Sequence, residues 1–180
     1  MLLLLSNTFH SPSPLPPRTV LLVLSVPRAG HLRSRIRRQV AATRDVAAVF
    51  LLGEAEEQEE VEEEARRHGD ILQAGLEETY RMTTYKVLLG LAWAGRWCSE
   101  ETRHLVKTDD NAVIDLRRLE EVLEGAEVEG RVVCPAVMRG VRAWRHPRAA
   151  VLGKWAVGPA WPRQVYPDHC NGWLWATGPR

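Results

Sequence analysis

No stretch of this chain offers the roughly 20 consecutive apolar residues that a membrane-spanning helix needs. The apolar run at the start, Leu2 to Leu5, also falls short of the ~7–15 apolar residues of a signal-peptide core and has no basic flank before it. The expectation is a cytosolic chain, or one whose anchor-bearing start lies outside this sequence. A net excess of charge of either sign is missing as well. The formal net charge is +1, so no overall basic surplus draws a nucleic-acid backbone, although arginines gather between Arg28 and Arg44. Cys98, Cys134 and Cys170 are widely spaced and form no C-x-x-C pair, which argues against a zinc site. One disulfide with a free thiol and three buried reduced thiols are both open. A Gly-rich phosphate loop of the G-x-G-x-x-G kind is missing after the first apolar run, which disfavours an unrelated nucleotide-binding α/β module.

What is present organises itself well. A length of 180 residues with 45% hydrophobic composition fits one globular domain with a sizeable core. "SPSPLPP", Ser11 to Pro17, predicts an extended lead-in, so residues 1–17 read as a linker and 18–180 as the folded unit. "RTVLLVLSV", Arg18 to Val26, is a continuous apolar run of the kind found in a strand covered on both faces. After Pro27 and Gly30, a helix is predicted with Leu32, Ile36 and Val40 as its inward stripe and its arginines facing elsewhere. "AAVFLLG", Ala47 to Gly53, is a second strand. "EAEEQEEVEEEARRH" reads as a helix with acids at its start and bases at its end, as the helix dipole favours, and its acids as a solvated face rather than a cation site.

A third strand is predicted at Asp70 to Gln73, then a long helix over about Glu77 to Trp97 with Tyr80, Thr84, Leu88, Leu91 and Trp93 on its buried face. "RHLVKT" supplies a strand that ends at Asp109 and Asp110, "LRRLEEVLEG" a helix closed by Gly125, and "RVVCPAV" a further strand. Strand and helix alternate, so the fold class is α/β with a doubly wound sheet, in which ligands bind beyond the carboxyl ends of the strands. Asp109 and Asp110 fall at such an end. Adjacent carboxylates there have two readings: a helix cap or turn, or a divalent-metal and nucleotide site in which hard oxygen ligands hold magnesium or manganese against a diphosphate.

"FLLG", "HGDILQAGLEETYRMTTYKVLLGLAWAGRWC", "HLVKTDDNAVID", "GKWAV" and "VYPDHCNGW" occur in the order and spacing of the β-1,3-galactosyltransferase and β-1,3-N-acetylglucosaminyltransferase family. The chain resembles the nucleotide-binding portion of these Golgi hexosyltransferases from about Thr19 to Thr177. The resemblance implies a GT-A-like, Rossmann-type sheet with flanking helices. It also implies transfer of galactose or N-acetylglucosamine from a UDP-sugar to an acceptor glycan on a glycoprotein or glycolipid, with inversion and with Mn2+. Members are typically type II Golgi membrane proteins, so Golgi membrane localisation is implied, with the anchor expected to lie outside this sequence.

Residue by residue, the family's three acids after K-T correspond here to Asp109, Asp110 and Asn111. The resemblance puts Asp109 near the nucleotide, and Asp110 with Asn111 at the metal. An amide oxygen coordinates without negative charge, so Mn2+ is expected to bind more weakly than with a third acid. Arg33 and Arg37 fall on the R-x-x-I-R pattern; they suit a diphosphate, or they lie on an exposed helix face. The threonine-tryptophan that follows in the family is Gln39 and Val40 here. Lys86 matches the lysine of N-L-T-x-K, as a donor-positioning group or a surface residue, and the family's D-F before this helix is Gly75 and Leu76.

In the Y-P-x-Y-C-x-G block, His169 replaces an aromatic, and Gly172 lets backbone approach the donor sugar or acceptor. Trp173 and Trp175 are a sugar-stacking wall or core residues. The family's catalytic base lies in an E-D-V block beyond this segment, and the chain reaches Arg180 without one, so the catalytic residue is unassigned and the domain is expected to be partial. Asp168 is the nearest acid, and its spacing does not recommend it. Two readings follow: a hexosyltransferase, or an inactive or truncated relative that binds UDP or a partner protein at most.

Overall fold

The computed structural model describes residues 2–3, 16–146 and 153–179. Along the chain come β1 (Leu2–Leu3), β2 (Thr19–Leu24), α1 (Gly30–Ala41), β3 (Val46–Leu52), α2 (Gln58–His68), β4 (Ile71–Ala74), α3 (Thr83–Trp97), β5 (His104–Asp109) and α4 (Leu116–Glu124). Four short strands follow: β6 (Val132–Val133), β7 (Val137–Met138), β8 (His169–Cys170) and β9 (Leu174–Thr177). Most of the lead-in expected over 1–17 lies outside the described residues. Its β1 pairs antiparallel with β4, Leu2 opposite Ala74.

β2, β3 and β4 are buried over every residue, as their unbroken apolar runs require. They form, with β5, the parallel centre of a seven-stranded sheet of order β1-β4-β3-β2-β5-β9-β6. β9 joins β5, and β6 joins β9, by antiparallel pairing; β7 and β8 make a separate two-stranded ribbon. The chain winds from β2 outward to β4 and then returns to the other side of β2 for β5. The order therefore reverses between β2 and β5, which makes their carboxyl ends the ligand-binding crevice of such a sheet. Leu24 stands opposite Asp109 in register, so Ser25 and Asp110 leave the sheet side by side.

Helices cover both faces. On one, Leu21, Val23, Phe50 and Val106 meet Ile36 and Val40 of α1, Val61 and Ala65 of α2, and Leu116 and Leu123 of α4. On the other, Val20, Leu22, Leu51 and Leu105 meet Ala94 of α3, with Val87, Leu89, Leu91 and Trp93 packed alongside. The α/β class and the GT-A-like, Rossmann-type arrangement expected from the sequence are both present.

Three local expectations need correction. In α1, Leu32 is only half-buried, while Arg33 turns into the protein beside Ile36 and Val40. The long helix expected from about Glu77 begins only at Thr83, with Tyr80 exposed in a short 3-10 turn before it; the inward residues of α3 are Lys86, Gly90 and Ala94, while Leu88 and Thr84 are exposed. The helix lies so close to the sheet that a Cβ on Gly90 would sit 2.8 Å from a methyl of Leu51, and this contact sets the helix's rotation. The stretch "RVVCPAV" is not one strand, since β6 and β7 belong to different sheets on either side of Cys134 and Pro135. Proline has no N–H for a ladder. The cysteine question resolves as a Cys134–Cys170 disulfide, Cα atoms 5.8 Å apart, with Cys98 free.

Candidate functional site

Ser25, the first residue past β2, is 2% exposed and organises the crevice. Its hydroxyl donates to Asp110 Oδ2 at 2.7 Å and accepts from an Arg33 guanidinium N–H at 3.1 Å. Its carbonyl accepts from Lys86 Nζ at 2.9 Å. Arg33 comes from α1 on one face of the sheet and Lys86 from α3 on the other, so two buried cations converge on one serine. The backbone N–H of Asp110 donates to Leu24 O at 3.0 Å, which carries the β2–β5 pairing one step past the strand ends. Arg35 donates to Asp110 O at 3.1 Å and steadies the turn from outside.

Each buried cation here has its own carboxylate, as desolvation of an ion demands. Arg33 is 1% exposed and uses all five N–H donors: Nε and one Nη on Glu64, the rest on Ser25 Oγ, Val26 O and Pro27 O. Lys86 pairs with Glu78 Oε1 at 2.6 Å. The other oxygen of Glu78 accepts from Gly53 N at 2.6 Å; a Cβ on Gly53 would stand 2.9 Å from that oxygen and 2.7 Å from Leu76 O, so the end of β3 needs glycine for this approach. Lys107, also buried, donates to Asp109 Oδ1 at 2.6 Å and to Gly172 O. Among the described residues Asp110 takes part in no ion pair, and its second carboxylate oxygen carries no protein hydrogen bond.

The residues singled out in the sequence therefore separate. Asp109, Asp110, Lys86 and Gly172 gather at the crevice through Ser25 and Lys107, and the exposed turn residue Asn111 follows Asp110. Lys86 is 3% exposed, which removes its surface reading. Neither alternative weighed for Arg33 describes it: it is no surface arginine, and no donor of its guanidinium is free for a diphosphate. Arg37 lies one helical turn further along α1, stacked over Phe50 at 4.8 Å and bonded to Asp70 through two N–H groups at 2.7 Å and to Glu64 at 2.7 Å. Burial lowers the affinity of Arg37 for its proton, but Asp70 and Glu64 more than offset this and hold its pKa above the ordinary value. Burial works to raise the Glu64 carboxyl, and the bonds and charges of Arg33 and Arg37 outweigh it, so Glu64 titrates below its usual range.

Ser25, Glu64 and Glu78 were missed from sequence. Glu64 is one acid among many in α2, distinguished only by facing α1, and Glu78 lies in a loop with no periodicity to mark it. Ser25 alone had a signal, as the polar residue that ends the first apolar strand.

Trp173 is 40% exposed beside Gly172, and Trp175 is half-buried. Trp175 lines a cavity of about 470 Å³ with Val132, Val137, Asp168, His169 and Cys170, and stands opposite Lys107 in register. Asp168 is engaged by Arg139 at 3.2 Å. A larger cavity, about 760 Å³, opens at the amino ends of β2 and β5 between Arg18, His104, Glu124 and Arg131. It holds the ion pairs Arg18 with Glu124 at 3.3 Å and Arg131 with Glu127 at 2.7 Å, and it lies at the wrong end of the strands for the crevice.

A hard divalent cation takes oxygen donors and, in nucleotide sites, one or two protein groups with the remainder from phosphate and water. The free oxygen of Asp110 and the amide of Asn111 fit that chemistry while supplying one negative charge. No group of three or more His, Cys, Asp or Glu side chains able to hold a metal occurs among the described residues, so the donors are few. No helix among the described residues is long and apolar enough to cross a membrane.

The family model for galactosyltransferase matches residues 32–178. Similar proteins include β-1,3-galactosyltransferase 5 of Gorilla gorilla gorilla, 32% identical over 166 residues covering 87% of this chain and 54% of the relative. β-1,3-Galactosyltransferase 5 of Homo sapiens is 30% identical over 166 residues, 87% of this chain and 52% of the relative. β-1,3-Galactosyltransferase 4 of Mus musculus is 34% identical over 111 residues, 58% of this chain and 30% of the relative. The chain thus spans about half or less of the curated relatives it matches. The match runs from the start of α1 through β9, taking in the crevice residues from Arg33 to Gly172, and the chain belongs to the galactosyltransferase family.

Proposed function

We propose that this chain carries the UDP-sugar-binding part of a β-1,3-hexosyltransferase, which transfers galactose or N-acetylglucosamine to an acceptor glycan on a glycoprotein or glycolipid. The observation that carries the reading is the pair Asp109 and Asp110 at the reversal between β2 and β5, with the Asp110 carboxylate in no ion pair among the described residues. Asp109, held by Lys107, faces the nucleotide, and Gly172, whose carbonyl Lys107 also holds, borders the sugar. Arg33, Arg37 and Lys86 act from within, as the framework that keeps the crevice in shape. Mn2+ is held by Asp110 and Asn111, with reduced affinity because Asn111 brings no charge. When bound, the ion neutralises the diphosphate leaving group. The proposed location is the Golgi membrane, and the Cys134–Cys170 disulfide supports an oxidising compartment.

A second reading has its own support. Asn111 in place of an acid favours a family member that binds UDP without turning over. Calorimetric titration of the protein with UDP, with and without Mn2+, tests the site itself. Binding that requires Mn2+ supports the nucleotide site, and absence of binding by folded protein removes it. Transfer from UDP-galactose or UDP-N-acetylglucosamine to a galactoside or N-acetylglucosaminide acceptor then separates the enzyme from the silent binder.

A further inference from the structure

We infer that Ser25 is the positioning residue of the crevice: its hydroxyl fixes the Asp110 carboxylate so that Oδ2 is engaged and the other oxygen is presented outward to a cation. The inference rests on the reading of Asp110 as a metal-binding residue and adds a residue outside the K-T-D-D-N segment. The geometry is specific. A serine hydroxyl has one proton, and here it goes to Asp110 at 2.7 Å because the Arg33 N–H, 3.1 Å away on the accepting side, leaves the oxygen no other orientation. Arg33 is itself fixed by Glu64, Val26 O and Pro27 O, and the main chain of Ser25 by Lys86 on its carbonyl and by Leu51 O on its N–H at 3.1 Å.

Every atom of Ser25 that takes part in hydrogen bonding is thereby pinned from α1, β3 or α3 before any ligand arrives. With Asn111 uncharged, Asp110 is the one full charge offered to the cation, and its orientation matters more than in a site with several acids. Outer groups that orient a metal ligand typically change metal affinity about 10–100-fold when removed.

The test compares wild type, Ser25→Ala and Ser25→Thr. Binding of Mn2+ is followed by loss of the free-ion electron paramagnetic resonance signal, and UDP by calorimetry with Mn2+ or with chelator. The expected result is at least a 10-fold weaker Mn2+ dependence in Ser25→Ala, recovery in Ser25→Thr, which keeps the hydroxyl, and unchanged binding of UDP in chelator. Wild-type Mn2+ dependence in a folded Ser25→Ala overturns the inference and leaves the nucleotide reading intact. Equal loss in Ala and Thr variants with a lowered melting temperature also overturns it, since packing rather than the hydroxyl is then at work. Wild type that binds neither Mn2+ nor UDP refutes the nucleotide reading itself, and the role of Ser25 falls with it.

Discussion

Glu64 carries more of the crevice than its place in an acidic run suggests. It accepts from both Arg33 and Arg37, and Arg33 in turn reaches Ser25. Replacing it by glutamine leaves a guanidinium that is 1% exposed without its counter-charge, and removal of one partner of a buried pair costs about 3–5 kcal/mol. Glu64→Gln is expected to lower unfolding free energy by about 3 kcal/mol, read by urea denaturation. The pH dependence has a definite sign. The native pKa of Glu64 is depressed below its ordinary 4.5, so its stabilisation is complete above that value and is lost as pH falls through the native one. His104, buried against Thr19, is lowered from 6.5 by burial and by Arg18 and Arg103, so protonating it in the unfolded chain also favours unfolding below that pH. Stability measured from pH 7 downward should fall in two stages, the first absent in His104→Gln and the second in Glu64→Gln. A profile unchanged by either substitution would show that these groups do not govern acid unfolding.

At the scale of elements, α3 teaches the most about what the sequence could show. Its existence was legible, and so was its end near Trp97, because apolar residues run through it without proline; its start was not, since it begins at Thr83 and the residues from Glu77 form a loop and a 3-10 turn. Its rotation was not, because it is apolar on nearly every side and a period of 3.6 then points in no single direction. The inward face is marked by Gly90, where the helix meets Leu51 and Leu22, and by Lys86, one turn away, whose ammonium reaches the Ser25 carbonyl. Gly90→Val should cost about 1–3 kcal/mol by overpacking and should weaken UDP binding through displacement of Lys86; wild-type stability in that variant would contradict the close approach. Cys98, just past the helix, is pushed up to about 11 by burial, partly offset by a hydrogen bond with Thr102. Its thiol should react slowly with iodoacetamide at pH 8 in the native protein and rapidly in urea, and equal rates would show that the helix end is open.

For the molecule as a whole, the parallel centre of the sheet was readable from runs such as Val20 to Leu24 and Ala47 to Leu52, and the carboxyl-end rule located Asp109 and Asp110 from the sequence alone. The antiparallel side was not readable. β6, β7 and β8 are two residues each, too short for periodicity, and their arrangement depends on the Cys134–Cys170 bond and on the tie between Lys107 and Gly172, both long-range. Closing a loop of this length by a disulfide typically adds about 2–4 kcal/mol. Replacement of both cysteines by serine should therefore lower stability by that order and loosen the Gly172 segment, seen as faster amide exchange near Gly172.

On the proposed function, Asp110 and Asn111 together form a cation-dependent nucleotide site whose weakness comes from the missing charge at Asn111. Parallel calorimetric titrations of wild type and Asn111→Asp with UDP in Mn2+ decide whether it exists. The expected result is Mn2+-dependent binding that is at least several-fold tighter in Asn111→Asp and equal for the two proteins in chelator. Identical affinities in Mn2+ would contradict it, and would place any cation elsewhere than at the end of β5.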